Sequence, residues 1–298
     1  MIDSDAPLVQ TDAKRSGGTG DGEGNTSVAY PVFDATISDE EYFKAEGIDQ
    51  SMLKHWLRSP AALGLYLRDQ ESGAMSPALE FGTAMHALTL GKGLPVVEKK
   101  PHMKTDEQHT WLTPSAYAMA MDMLRLGGAK QYFESLGGTA ETVMMAVDPA
   151  TGLRLKSKAD WLPADVDADG VYRIRDYKTT MKALDGMDAA NRIIYGDLRY
   201  DIQAAFYMMV YRLASGWTGA LGFEFVIQSK TAPYTTVRAR IDEDADANQE
   251  TLQTIREGLA SLHQAQGDNT REEFMNRLLA PQPVINLGAA VPPAWWTA

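Results

Sequence analysis

Asp176 and Lys178 stand two residues apart in VYRIRDYKT (171–179), a run whose alternation predicts a strand. That spacing puts both side chains on one face of the strand and Tyr177 on the other. Asp160 closes a preceding predicted strand, LRLKSKADWL (153–162), and the polar stretch DVDADG between the two reads as a turn. With the turn centred near Ala168, residues 160 and 176 face each other across an antiparallel ladder. Adjacent carboxylates repel unless a cation lies between them. A divalent ion held by Asp160 and Asp176 removes that cost, and oxygen ligands suit Mg²⁺ or Mn²⁺. Lys178 is then placed to orient or deprotonate a water that attacks a phosphodiester.

Two helical stretches offer further donors. In FGTAMHAL, Gly82 and His86 share a face at i, i+4; His86 brings an imidazole ligand and Gly82 leaves room for another backbone. Gln203 and Tyr207 repeat the spacing in YDIQAAFYMMVYR, where both can donate to a phosphate or a base edge.

These residues need a scaffold, and the sequence supplies its outline. Asp49 or Ser51 caps a helix carrying Met52, Leu53, Trp56 and Leu57, and a second helix follows Pro60. Pro77 opens a third that stops near Gly91, and a fourth is expected from Pro114 to Leu136. ETVMMAV (141–147) joins the two strands above, a long helix covers about Tyr200 to Ala214, and residues 222–230 and 234–240 form a hairpin around Ala232–Pro233. A last amphipathic helix carries Leu252, Ile255, Leu259 and Leu262. Helices, three strands, a helix and two more strands predict an α/β fold with a central mixed β-sheet flanked by helices. Residues 1–28, polar and glycine-rich, are expected to be a flexible tail, and 29–298 a single domain.

Composition removes several alternatives. The 298 residues include no cysteine, which excludes disulfides, thiolate zinc sites and iron–sulfur clusters. No apolar run reaches 18 residues, so no membrane span is expected, and the opening MIDSDAPLVQTDAK lacks a secretory leader pattern. The expected location is the cytoplasm. A net charge of −12 argues against a surface that coats nucleic acid, but not against one metal-loaded cleft. Asp165-x-Asp167-x-Asp169-Gly170 matches half of an EF-hand loop, yet strands flank it, so a polar hairpin turn is the better reading.

Gly82-x-x-x-His86, Glu141, Lys158-Ala-Asp160, Asp176-Tyr-Lys178 and Gln203-x-x-x-Tyr207 occur in the order seen in RecB-like nucleases of the PD-(D/E)XK superfamily. The surrounding text (SMLKHWLRSPAAL, FGTAMHALTLG, RIRDYKTT, FVIQSKTAPYTTV) resembles the RecE-type, exonuclease VIII-like exodeoxyribonucleases of phages and prophages, over roughly Ser38 to Arg240. The resemblance implies a PD-(D/E)XK core and digestion of double-stranded DNA from its ends, 5′→3′, with two Mg²⁺ or Mn²⁺ ions. It implies His86, Asp160 and Asp176 as metal ligands with the Tyr177 carbonyl, and Lys178 as the group that activates water. Glu141, Gln203 and Tyr207 become supporting or DNA-binding residues. Ser51, Arg58 and Ser59 are candidates for a 5′-phosphate, because hydroxyl and guanidinium donors suit that dianion. A homo-oligomeric ring in the cytoplasm of a bacterial host, handing a 3′ strand to a single-strand annealing protein, belongs to the same expectation. The alternatives are an endonuclease or repair nuclease on this core, or a non-catalytic DNA-binding subunit that keeps the fold.

Overall fold

The computed structural model describes residues 30–71 and 77–281; the expected N-terminal tail lies outside them. In chain order the elements are β1 (Val32–Asp34), α1 (Asp39–Lys44), α2 (Gln50–Arg58), α3 (Pro60–Glu71), α4 (Pro77–Leu90), β2 (Val96–Glu98), β3 (Thr110–Leu112), α5 (Pro114–Leu126), α6 (Ala129–Glu134), β4 (Gly138–Val147), β5 (Arg154–Pro163), β6 (Tyr172–Thr180), α7 (Met187–Ile194), α8 (Tyr200–Ser215), β7 (Leu221–Ser229), β8 (Thr236–Asp242), α9 (Asp246–Gln266) and α10 (Arg271–Leu278). Local chemistry sets several of these boundaries. Ser38 and Glu41 close a capping box on α1, Thr270 and Glu273 another on α10, and the Asp49 side chain accepts from the Met52 amide at the start of α2.

The main sheet runs β1-β4-β5-β6-β7-β8, antiparallel except between β6 and β7, whose parallel pairing is made by a crossover through α7 and α8. It is therefore the mixed sheet expected, with β2 and β3 as a separate parallel pair. Helices cover both faces. Along β7, Phe223, Phe225 and Ile227 pack toward Ile202 and Phe206 of α8 and Ile255 and Leu259 of α9, while Val226 points the other way, toward Phe81 and Met85 of α4 and Met123 of α5. Tyr177 joins the second layer and Ile174 the first, the alternation read from the sequence.

Two expectations change. The helix expected over Pro114 to Leu136 is broken at Gly127–Gly128. A Cβ on Gly127 would lie 1.7 Å from the Gln228 amide nitrogen, which donates to the Met123 carbonyl, and Gly128 takes φ +76°. Gly82 was expected to admit a neighbouring backbone, but a Cβ there would meet nothing within 4 Å; it faces an open cleft instead.

Candidate metal centre and active site

Between β5 and β6 the ladder holds a single facing pair, Trp161↔Arg175, which sets Asp160 opposite Asp176 as the sequence predicts. Where the strands part, the Tyr177 amide donates to Asp160 Oδ2 at 2.8 Å, so a side chain replaces the missing backbone partner. β5 does not end at Asp160 but runs on to Pro163. On the next strand Glu141 faces Asp160 within an otherwise regular β4–β5 register, and it takes φ +57°. A left-handed glutamate costs roughly 1–2 kcal/mol, a strain that collects at functional sites. Lys92 helps to hold it: Nζ lies 3.3 Å from both the Ala140 and Glu141 carbonyls and 2.6 Å from that of Ala35.

His86 reaches in from α4, its Nδ1 3.4 Å from Asp160 Oδ2, its ring tilted over Tyr177 at 5.4 Å. One ligand atom each from His86, Glu141 and Asp160 lie within 4.8 Å of one another. From the opposite layer, α8 brings Gln203, whose amide nitrogen donates to Asp176 Oδ1 at 2.6 Å. Lys178 Nζ sits 2.5 Å from Asp176 Oδ2, an oxygen that is buried without an aligned hydrogen bond. The Lys158 ammonium pairs with Glu141 and with Asp39 of α1.

The charges are poorly compensated. Burial, with Glu141 nearby, pushes Asp160 up to about 7 against the pull of Lys178; burial and Asp160 push Asp176 up to about 6. Burial, then Lys178, holds His86 below its ordinary value. Burial opposes the Lys178 charge, but Asp176 and Asp160 overcome it and hold the ammonium above its ordinary range. An imidazole and two carboxylates that repel when ionised are a donor set that fits a divalent cation.

The same shifts set a pH dependence for the metal-free protein. Asp160 is protonated in both folded and unfolded chains below about 4, and its ionisation penalises the folded state as pH rises toward 7. In chelator Asp160 and Asp176 favour the fold at about pH 5 over about pH 8, His86 and Lys54 pull the other way, and the protein is expected to melt higher at about pH 5. Calorimetry in EDTA at both values, repeated with Mn²⁺, checks this; a profile that rises with pH in EDTA contradicts the charge arrangement.

The structure thus brings together His86, Asp160, Asp176, Tyr177 and Lys178, and adds Glu141 to the His86–Asp160 cluster, where sequence reasoning had it as a supporting or DNA-binding residue. At 4% exposure Gln203 is too buried to meet DNA; it supports Asp176. Tyr207 is likewise buried, its ring edge-on to Phe223 at 6.0 Å. Ser59 caps α3 by accepting from the Ala62 amide at 3.1 Å, Ser51 accepts from the Gln50 amide group at 2.8 Å, and Arg58 is exposed. Asp167 and Asp169 pair with Arg173, and Asp167 also with Arg175, so the calcium-like stretch is an ion-paired turn. Lys92 carries no short motif and was missed, and the left-handed backbone that brings Glu141 to the cluster left no local signal. A cleft of about 1620 Å³ opens onto His86, Glu141, Lys158 and Gly82; Asp160 and Asp176 are 8% and 1% exposed and do not line it.

A mixed sheet that carries an acid pair and a lysine on adjacent strands, flanked by helices that add a histidine and a glutamine, defines the PD-(D/E)XK architecture. The chain belongs to the family described as PDDEXK-like domain of unknown function (DUF3799), whose model matches residues 50–273. Its fold is similar to that of a candidate exonuclease from Eubacterium rectale, at 15% identity over 85% of this chain and 96% of that one, with a TM-score of 0.53. A second solved structure, of the protein SSO0001, shares 12% identity over 57% of this chain and 71% of its own at a TM-score of 0.31, too low to argue from. No curated protein matches the chain. Among the described residues no helix is long and apolar enough to cross a membrane.

Proposed function

We propose that this protein is a metal-dependent deoxyribonuclease that digests duplex DNA from its ends, of the RecE type. One observation carries the reading: His86, Glu141 and Asp160 converge to within 4.8 Å beside the Asp176–Lys178 pair, at the edge of an open cleft. His86, Glu141 and Asp160 would hold a first divalent ion, with Asp176 completing the acidic set; an imidazole among the donors suits Mn²⁺ at least as well as Mg²⁺. Such an ion supplies charge stabilisation at the phosphate oxygens and lowers the pKa of water.

The chain's own residues do the rest. Gln203 fixes Asp176 Oδ1, which leaves Oδ2 facing Lys178. With its charge held this firmly, Lys178 orients the attacking water and the scissile phosphate as a cation, and the alternative of proton abstraction recedes. Glu141 is kept in place from behind by Lys92 and in front by Lys158. Acidic residues such as Asp39, Glu40 and Glu46 sit at the cleft beside Lys92 and Lys158, so DNA enters most readily with divalent cations bound. A ring assembly in the bacterial cytoplasm and transfer of the 3′ strand to an annealing protein complete this reading, by resemblance.

The test uses linear duplex labelled at the 5′ or the 3′ end, with a covalently closed circle beside it, in Mg²⁺, Mn²⁺ or EDTA. Early release of 5′ label, an intact circle and silence in EDTA are expected. Cutting of the circle replaces the exonuclease with an endonuclease on the same core. No cleavage with either ion leaves a non-catalytic DNA-binding subunit, a reading that the complete acid–lysine set disfavours.

A further inference from the structure

Among the described residues around the catalytic carboxylates, Lys92 is held by three backbone carbonyls, and every other cation but one has a carboxylate partner. Lys178 is paired with Asp176, Lys158 with Glu141 and Asp39, and Arg199 with Asp201 at 2.8 Å. Lys54, on α2, is the exception: among the described residues no carboxylate oxygen lies within 4.0 Å of its Nζ. The ammonium instead lies 5.4 Å from the centre of the Tyr200 ring, the same ring that Lys178 Nζ approaches at 5.1 Å. Two ammonium groups thus share one aromatic ring beside Asp176. Leaving one of them half-buried with no anion is costly, and the cost is recovered when an anion binds between them.

The surroundings say which kind of anion. α8 begins at Tyr200, its N-cap Arg199 makes no side-chain cap, and the Asp201 carboxylate of its first turn is taken up by Arg199 and Thr251. On α2 the Lys54 side chain shares a face with Ser51, three residues before, and Arg58, four residues after. Arg58 is exposed, so the stripe leads outward from the carboxylates to solvent. A track of hydroxyl, ammonium and guanidinium groups that ends beside an acid–lysine pair matches a phosphodiester backbone.

We propose that Lys54 is a catalytic residue that contacts the non-bridging oxygens of the phosphate being cleaved, on the side opposite Lys178. This rests on the nuclease reading above. Lys54 meets the phosphate as an ammonium donor, and its attraction grows as negative charge gathers on those oxygens during attack. Burial, then the charge of Lys178, brings its pKa down to about 7, and an incoming phosphate would restore its proton.

The experiment compares wild type with Lys54→Met and Lys54→Arg in three measurements. Single-turnover cleavage of a linear duplex in Mn²⁺ is expected to fall about 10²-fold in Lys54→Met and to recover in part in Lys54→Arg. Anisotropy of a fluorescein-labelled duplex in EDTA is expected to show a log Kd against log salt slope smaller by about one in Lys54→Met. The Tm of Lys54→Met is expected to equal or exceed that of wild type, since a poorly solvated cation is removed. Wild-type rate and slope in Lys54→Met overturn the proposal. So does a rate loss that follows a lowered Tm, which would make Lys54 structural. If wild type itself fails to cleave, the nuclease reading fails; the salt slope then decides alone whether Lys54 meets phosphate.

Discussion

Asp160→Asn is expected to abolish DNA cleavage, by at least ~10³-fold, while the protein stays folded and melts no lower than wild type. The asparagine carbonyl can take the place of Oδ2 and still accept from the Tyr177 amide, so the β5–β6 junction survives. What disappears is one negative charge from the His86–Glu141–Asp160 cluster, and with it much of its affinity for a divalent ion. The same charge is a burden on the metal-free fold, since burial pushes the Asp160 pKa up to about 7. Activity and stability therefore move in opposite directions, which a merely structural aspartate would not allow. Parallel melting curves and end-digestion assays give both numbers; wild-type digestion by Asp160→Asn removes this residue from the site.

Glu224→Ala is expected to cost about 3 kcal/mol of stability, the lower end of the range for breaking a buried ion pair. Glu224 has no exposed surface, and its carboxylate meets Arg175 Nε at 3.3 Å, Arg240 Nε at 2.8 Å and the Tyr132 hydroxyl, with Arg238 at 3.8 Å. Burial works against that charge, and Tyr132 and Arg240, then Arg175 and Arg238, still hold its pKa below the usual value. Its contribution is complete above the ordinary glutamate pKa and is lost as acid protonates it. Arg238 and Arg240 are 49% and 43% exposed at the side chain and return to water when the glutamate goes. Arg175, at 2%, cannot, although Asp167 stays with it and limits the loss. The urea midpoint should drop by roughly 1 M, with cleavage per folded molecule unchanged. A midpoint within error of wild type would show that this network is neutral.

The strand register was legible because period-two alternation and a polar turn constrain it tightly: 160 opposite 176, and Tyr177 away from Asp176, follow from spacing alone. The i, i+4 pair Gln203 and Tyr207 was legible as a pair but not as a buried one, since amphipathic spacing does not say which polar groups a neighbouring strand will cover. Glu141 was named as a supporting residue, but its place in the His86–Asp160 cluster was hidden for a different reason. Its place beside His86 depends on a left-handed backbone held by Lys92, a contact 49 residues distant that no local propensity encodes. The helix break at Gly127 likewise depends on Gln228, one hundred residues later in the chain. Lys54 is one lysine of an ordinary amphipathic helix until α8 sets the Tyr200 ring under it, the ring that Lys178 of β6 approaches from its own strand.

The parallel pairing of β6 with β7 has a consequence for how the protein comes into being. Asp176 is fixed only once Gln203 on α8 arrives, and β6 gains its second neighbour only when β7 closes a crossover that begins after Thr180 and ends at Leu221. Such distant closures are the slow part of assembly. During synthesis on the ribosome, a chain that has already made His86, Glu141, Asp160 and Lys178 still lacks the support that sets their geometry, so the ordered acidic centre arrives late, after α8 and β7.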